Sequence, residues 1–191
     1  MRRMSKNDAL RWEARYLDTV KNRSAVTRDL IARFHQFIPP SGVVLDVAMG
    51  PGGNACFLVN KGYKVLGFDI SSVAVRRAKN QCNCLMAVIA DSNEVFFPAN
   101  SFDAILNFYY LDRKMLTLYE TFLKPGGFLF LETPAIGTCG DESEMEGNYL
   151  LNKNEILLTF PSWDILYRNR IINSNSSKRH KVVEKLILRK V

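Results

Sequence analysis

From Gly42 onward, short apolar runs alternate with segments of helical character: "GVVLDVAM", "NACFLVN", "YKVLGFDI", "SVAVRRAKN", "LMAVIAD", "FDAILNFYY", "RKMLTLYETFL" and "FLFLETPA". Strands that are apolar along their whole length need cover on both faces, and helices inserted between successive strands supply it. The alternation therefore predicts an α/β fold: a Rossmann-like, mostly parallel sheet with helices on both faces. Gly62 is placed to end the first helix of the series, Ser71 or Ser72 to cap the second, and "KPGG", Lys124 to Gly127, to turn into the fifth strand.

Ahead of this core, Leu10, Trp12, Tyr16 and Val20, then Val26, Leu30, Ile31, Phe34 and Phe37 recur at helical spacing until Pro39 and Pro40 end the pattern. After it, "DILYRNRII" and "KVVEKLILRK" read as strands joined by the polar link "NSNSSKRH", which predicts an antiparallel hairpin closing a seven-stranded sheet. The 191 residues read as a single domain, a helical cap over 1–40 and a core over 41–191. The acidic stretch "GTCGDESEMEGN", Gly137 to Asn148, is long for a connection and reads either as a plain loop or as a lid. A short helix pattern follows it around Glu155 to Phe160.

Composition removes several function classes. The net charge of +7 is spread among Arg2, Arg3, Lys6, Arg76, Arg77, Lys79, Lys178, Arg179 and Lys181, which suits a solvated surface better than a nucleic-acid-binding stripe. Cys56, Cys82, Cys84 and Cys139 form no C-x-x-C pair and no zinc-like spacing with His35 or His180, so no metal site is expected. No signal-peptide-like apolar region follows the basic N-terminus and no run reaches membrane-span length, from which a cytoplasmic protein is expected.

The turn in "VVLDVAMGPGGNACFL", Val43 to Leu58, joins the first strand to the first helix of the core, where an open α/β sheet binds ligands. Gly50, Gly52 and Ala55 satisfy G-x-G-x-x-G/A, and Asp69 follows at the distance of an acid that holds a ribose, so a nicotinamide cofactor competes here. Asp46 argues against it, because a carboxylate four residues before the first glycine repels a pyrophosphate. The same carboxylate suits S-adenosylmethionine, whose amino-acid end carries an ammonium and a sulfonium and no phosphate. At the end of the third strand, Asp91 and Ser92 read either as partners of an adenine edge or as a turn cap.

Together, "VLDVAMGPGGNACFLVNKGYKVLGFDIS", "IADSNEVFFPANSFDAILNFYYLDR" and "LKPGGFLFLETP" resemble the ordered motifs of class I S-adenosylmethionine-dependent methyltransferases, over about Val43 to Pro134. With the N-terminal "RWEARY", the glycine turn looks most like the small tellurite-resistance methyltransferases. The resemblance implies that Asp46 and the backbone at Ala48, Gly50 and Gly52 hold the methionine end, that Asp69, beside Ile70, accepts from the ribose hydroxyls, and that Asp91 and Ser92 face adenine. It places Asn107 by the transferable methyl and lets Trp12 and Tyr16 cap the cofactor; a plain apolar helix face is the other reading of that pair.

Three departures stand out, one of them Met49 where the family frequently carries cysteine. Ala48 occupies the first glycine position of the family's D-x-G-x-G-x-G run, a small cost if its φ is negative, and Gly53 stands where the tellurite-resistance group usually carries arginine. Beyond the fourth strand, Tyr109 and Tyr110 are candidate walls of an acceptor pocket and Arg113 a candidate partner for an anionic acceptor, while core packing of one tyrosine is the alternative. No residue is singled out as a catalytic base. With no separate recognition domain, a small-molecule acceptor is expected; RNA or protein acceptors and an NAD-dependent oxidoreductase are the alternatives, and the oligomeric state is left open.

Overall fold

The computed structural model describes residues 6–18, 25–137, 149–175 and 179–191. The chain runs α1 (Lys6–Leu17), α2 (Asp29–Phe34), a single 3-10 turn (His35–Phe37), β1 (Val43–Val47), α3 (Gly53–Asn60), β2 (Lys64–Asp69), α4 (Ser72–Gln81), β3 (Met86–Ile89), β4 (Phe102–Phe108), α5 (Arg113–Phe122), β5 (Leu123–Ala135), α6 (Glu155–Thr159), β6 (Asp164–Asn175) and β7 (Arg179–Arg189). The seven strands form one sheet in the order β3-β2-β1-β4-β5-β7-β6. All pairs are parallel except β5 with β7 and β7 with β6, so the predicted mostly parallel sheet with a closing hairpin is what the chain forms.

The strand order reverses direction at β1, which lies between β2 and β4. There the crossovers diverge to opposite sides and leave a crevice beyond the carboxyl ends. Register levels those ends: Val47 stands opposite both Phe68 and Asn107. Each sheet face buries its own core. One is built around Tyr119 and Phe122 of α5 with Phe160 and Trp163, the other around Leu30, Ile31, Leu58 and Ala78 from α2, α3 and α4.

Local chemistry explains the helix starts. Asp112 accepts from the Lys114 and Met115 amides to begin α5, whose Met115, Leu116, Tyr119 and Phe122 make the buried stripe. Ser71 rather than Ser72 caps α4, accepting from the Ala74 amide, and Gly52 at φ 81° opens α3.

Three expectations need correction. The N-terminal helical pattern is interrupted: Ala25 to Arg28 are not helical, because Arg28 N–H donates to Asn54 Oδ1 and the Thr27 hydroxyl donates to the Gly53 carbonyl. Those tertiary bonds override the local spacing. "KPGG" is not a turn ahead of β5 but an excursion within it, for Phe102 pairs with Leu123 while Ala104 pairs with Phe128. Most of the hairpin link is strand, since Asn175 still pairs with Arg179. The stretch from Gly137 to Asn148, read as loop or lid, lies outside the described residues apart from Gly137 itself.

Candidate functional site

The crevice beyond the strand ends is a cavity of about 1000 Å³, at the upper end of the range for small-molecule sites. Its first half is the glycine turn. The Met49 amide donates to the Phe68 carbonyl, tying the turn to β2, and the Gly50 amide donates to Asp69 Oδ2 at 2.8 Å. Gly50 has φ 56°, and a Cβ there would stand 2.9 Å from the Tyr16 hydroxyl, so glycine lets α1 close down on the turn. Ala48 also has a positive φ, 50°. The condition under which alanine there costs little is therefore not met, and a strained residue sits at the site.

Two carboxylates dominate this half. Asp46 is 2% exposed, and its Oδ2 has no hydrogen-bond partner among the described residues. Burial, reinforced by the neighbouring charge of Asp69, pushes its carboxyl up to about 8, while the Ala55 amide at the start of α3 pulls the other way. Asp69 is also buried, and burial raises it, but the Ser71 and Gly50 amides counter that by stabilising the ionised form. Each Asp69 oxygen takes one amide and keeps acceptor capacity for a ligand.

Over the turn lies α1. Trp12 and Tyr16 stack with ring centroids 6.0 Å apart, and both line the cavity. Glu13 holds the helix there by accepting from the Ser71 and Ser72 hydroxyls at 2.5 and 2.6 Å, while Ser71 also caps α4. These bonds draw the Glu13 carboxyl below its ordinary value. Glu13 was not foreseen from sequence; its position inside "RWEARY" is the signal that pointed to it.

The other half lies beyond β4 and β5. Tyr109 has φ 56°, and its amide donates to the Glu132 carbonyl. Glu132, 2% exposed, stands opposite Lys185 in the β5–β7 ladder, with Lys185 Nζ 3.1 Å from Oε2 in an ion pair whose angle is not that of a hydrogen bond. Arg28 lies 3.8 Å from Glu132 Oε1, and its guanidinium covers the Tyr109 ring at 4.4 Å. Arg28, Glu132 and Lys185 were not read from the sequence. A lone acid inside the apolar run "FLFLETPA" was a usable signal for Glu132; nothing local marks the two cations.

Of the residues selected from sequence, Trp12, Tyr16, Asp46, Ala48, Gly50, Asp69, Ile70, Ser92, Tyr109 and Tyr110 line the cavity. Four do not. Gly52 packs away from it, where a Cβ would meet the Ala78 Cβ at 2.7 Å. Asp91 is a turn cap, its Oδ1 accepting from both the backbone and side-chain nitrogens of Asn93. Asn107 points to the opposite sheet face, fully buried and donating to the Tyr119 hydroxyl at 3.0 Å. Arg113 is spent on Glu155 and the Leu150 carbonyl. Ser92 remains at the wall, accepting from the Tyr110 hydroxyl at 2.5 Å, and burial with the nearby acids raises the Tyr110 phenol well above its ordinary range.

Gly53 is explained by its neighbours. A Cβ there would lie 2.7 Å from Ala25 C and Val26 O, so no side chain fits beneath the segment that carries Arg28.

Residues 44–127 match the family model described as "Methyltransferase domain". The glycine turn and the two buried carboxylates lie within the stretch that matches a methyltransferase domain. Solved structures with the same fold include a S-adenosylmethionine-dependent methyltransferase from Methanosarcina mazei, 18% identical over 87% of this chain and 99% of that one, TM-score 0.66. The 1,6-didemethyltoxoflavin-N1-methyltransferase of Burkholderia thailandensis, with 1,6-didemethyltoxoflavin and S-adenosylhomocysteine bound, is 16% identical over 97% and 86%, TM-score 0.70. TehB from Haemophilus influenzae is 18% identical over 94% of this chain and 67% of that one, TM-score 0.73. No curated protein matches the sequence. Among the described residues there is no cluster suited to a metal ion, and no helix is long and apolar enough to cross a membrane.

Proposed function

We propose that the protein is a methyltransferase that uses S-adenosylmethionine and acts on a small molecule, with the cofactor in the half of the cavity between α1 and the glycine turn and the acceptor in the half beyond β4 and β5. The observation that carries this reading is the unpartnered Oδ2 of buried Asp46. A buried carboxylate without a partner is costly, and an ammonium brought against it removes the cost. Asp46 therefore fits the amino-acid end of the cofactor. Asp69 retains lone pairs for a vicinal diol, Ile70 and Ser92 wall the base, and Trp12 and Tyr16 cover the whole from above.

S-adenosylmethionine supplies an electrophilic methyl on a sulfonium, so the protein's task is to position the acceptor and exclude water. Tyr109, Tyr110 and Phe108 line the side where an acceptor enters. The tellurite-resistance likeness is compatible with the fold of TehB, but the absence of a side chain at Gly53 separates this chain from that group's usual pattern. The cavity, bordered by the chain's own α1 and 25–28 segment, suits a small acceptor better than a macromolecule.

The test is calorimetric titration with S-adenosylhomocysteine and, separately, with NADH. Binding of S-adenosylhomocysteine alone is the expected result; binding of NADH alone would overturn the cofactor assignment. Co-crystals with S-adenosylhomocysteine then locate the free volume beside its sulfur.

A further inference from the structure

Arg28, Lys185 and Glu132 form a cluster that the cofactor assignment does not use. Resting on the placement of the acceptor beyond β4 and β5, we propose that this cluster is an anion-binding subsite and that the acceptor is an organic acid whose carboxylate docks between Arg28 and Lys185.

The charge balance carries the proposal. Two cations share one carboxylate, so the cluster holds a surplus positive charge facing the cavity. The Lys185 side chain is only 15% exposed, and among the described residues its ammonium, with three donors, contacts Glu132 alone. A largely desolvated ammonium favours a further counter-charge. Arg28 offers a planar fork at the cavity wall, and that geometry matches a carboxylate bidentately. Asp29 also borders the cavity, but it is exposed and makes no ion pair among the described residues, so it does not neutralise the pair.

Glu132 acts here as a positioning residue. It is buried, fixed by the β5–β7 register directly opposite Lys185, and it draws both cations to one point. Tyr109, held in left-handed backbone under the Arg28 guanidinium, completes the wall. Strain of this kind persists where the surroundings over-determine it, as at binding sites. Phe108, Tyr109 and Tyr110 give the subsite an aromatic flank, which suits an acid with an apolar body better than a bare inorganic oxyanion. Arg113, the arginine that the sequence suggested for an anion, is engaged elsewhere.

The chain is saturated with S-adenosylhomocysteine and titrated with three probes sharing one ring: a hydroxybenzoate, the matching hydroxybenzamide and the matching hydroxybenzylamine. The acid is expected to bind about tenfold or more tighter than the amide or the amine, and Lys185→Met and Arg28→Met each to weaken it about tenfold or more, the usual worth of a charged hydrogen bond. Lys185→Arg should restore most of the affinity. Unchanged S-adenosylhomocysteine affinity certifies that each variant is folded; should Lys185→Met fail that check, the exposed Arg28 decides. The proposal is overturned if the amide or amine binds as well as the acid, if the variants leave the acid unaffected, or if none of the three binds. Failure of S-adenosylhomocysteine to bind the wild-type chain would instead strike at the cofactor assignment.

Discussion

Around the glycine turn, the polar groups of the cavity come mainly from one continuous stretch, Asp46 to Asp69, and much of their geometry is backbone geometry. Beyond β4, Arg28, Tyr109, Glu132 and Lys185 arrive from elements scattered along the chain, and side chains do the work. The first half is fixed by two adjacent strands and one turn. The second depends on the β5–β7 register and on how residues 25–28 lie across α3. On the proposed assignment, the methyl donor thus meets locally encoded contacts, while the groups that would select an acceptor are encoded at a distance.

Substitutions that strike one half and spare the other test this contrast. The largest effect is expected at Asp69. Asp69→Ala removes an acceptor already oriented by the Gly50 and Ser71 amides, and should weaken S-adenosylhomocysteine binding by about 1.5–3 kcal/mol, the range for hydrogen bonds to a charged group. Calorimetry on the folded variant checks it, and an unchanged affinity would remove Asp69 from the cofactor half.

Gly53→Ala should act on the other half. Its methyl would meet the backbone of Ala25 and Val26 at 2.7 Å, so the segment leading to Arg28 must shift. Overpacking of this kind costs about 1–3 kcal/mol. The loss should appear in the denaturation midpoint, with a rise in the KM of whatever acceptor is found and little change in S-adenosylhomocysteine affinity. Equal damage to both affinities would show that the halves are one mechanical unit.

Asp46 gives a pH signature confined to the cofactor half. Its carboxyl is raised from 3.8 to about 8, so the native protein without cofactor keeps a proton that the unfolded chain gives up. Its stabilising contribution is complete below about pH 4 and is lost as the pH climbs towards 8. Asp46→Asn should flatten that decline between these limits. A cation bound against Asp46 expels the proton. Calorimetry at pH 7 in two buffers of different ionisation enthalpy should therefore detect proton release in the wild type, and none in the variant.

The same contrast decides what the sequence discloses. The sheet, its hairpin and the glycine-turn wall of the cavity were legible because apolar periodicity, caps and the spacing of Asp46 to Asp69 are local properties. Asn107 was misplaced because strand alternation turns it to the α5 face, where Tyr119 takes its amide. Asp91 was ambiguous on its face, and the structure shows turn-cap bonds from Asn93 at its Oδ1. Arg113 was chosen for its place after β4, yet Glu155, forty-two residues on, claims it. Lys185 carries no local signal, since its meaning comes from the strand that pairs with it.

The smallest effect is expected at Ala48, and it has the opposite sign. Its φ of 50° places an L-residue in left-handed backbone, at a cost of about 1–2 kcal/mol. Glycine removes that strain, but it gives back roughly 0.5–1 kcal/mol by enlarging the entropy of the unfolded chain. Ala48→Gly should thus stabilise the protein by about 0.5–1 kcal/mol, a rise in Tm of some 1–4 °C for a chain of this size. Because Ala48 borders the cavity, S-adenosylhomocysteine affinity measured alongside separates two effects. A stabilised variant with unchanged affinity means that the strain is incidental to binding. A stabilised variant that binds less tightly means that the alanine methyl is itself a contact in the cofactor half, and that the strain is retained for it. Loss of stability would show that the methyl's packing outweighs the backbone term, and the turn would then owe its shape to that methyl as well as to its glycines.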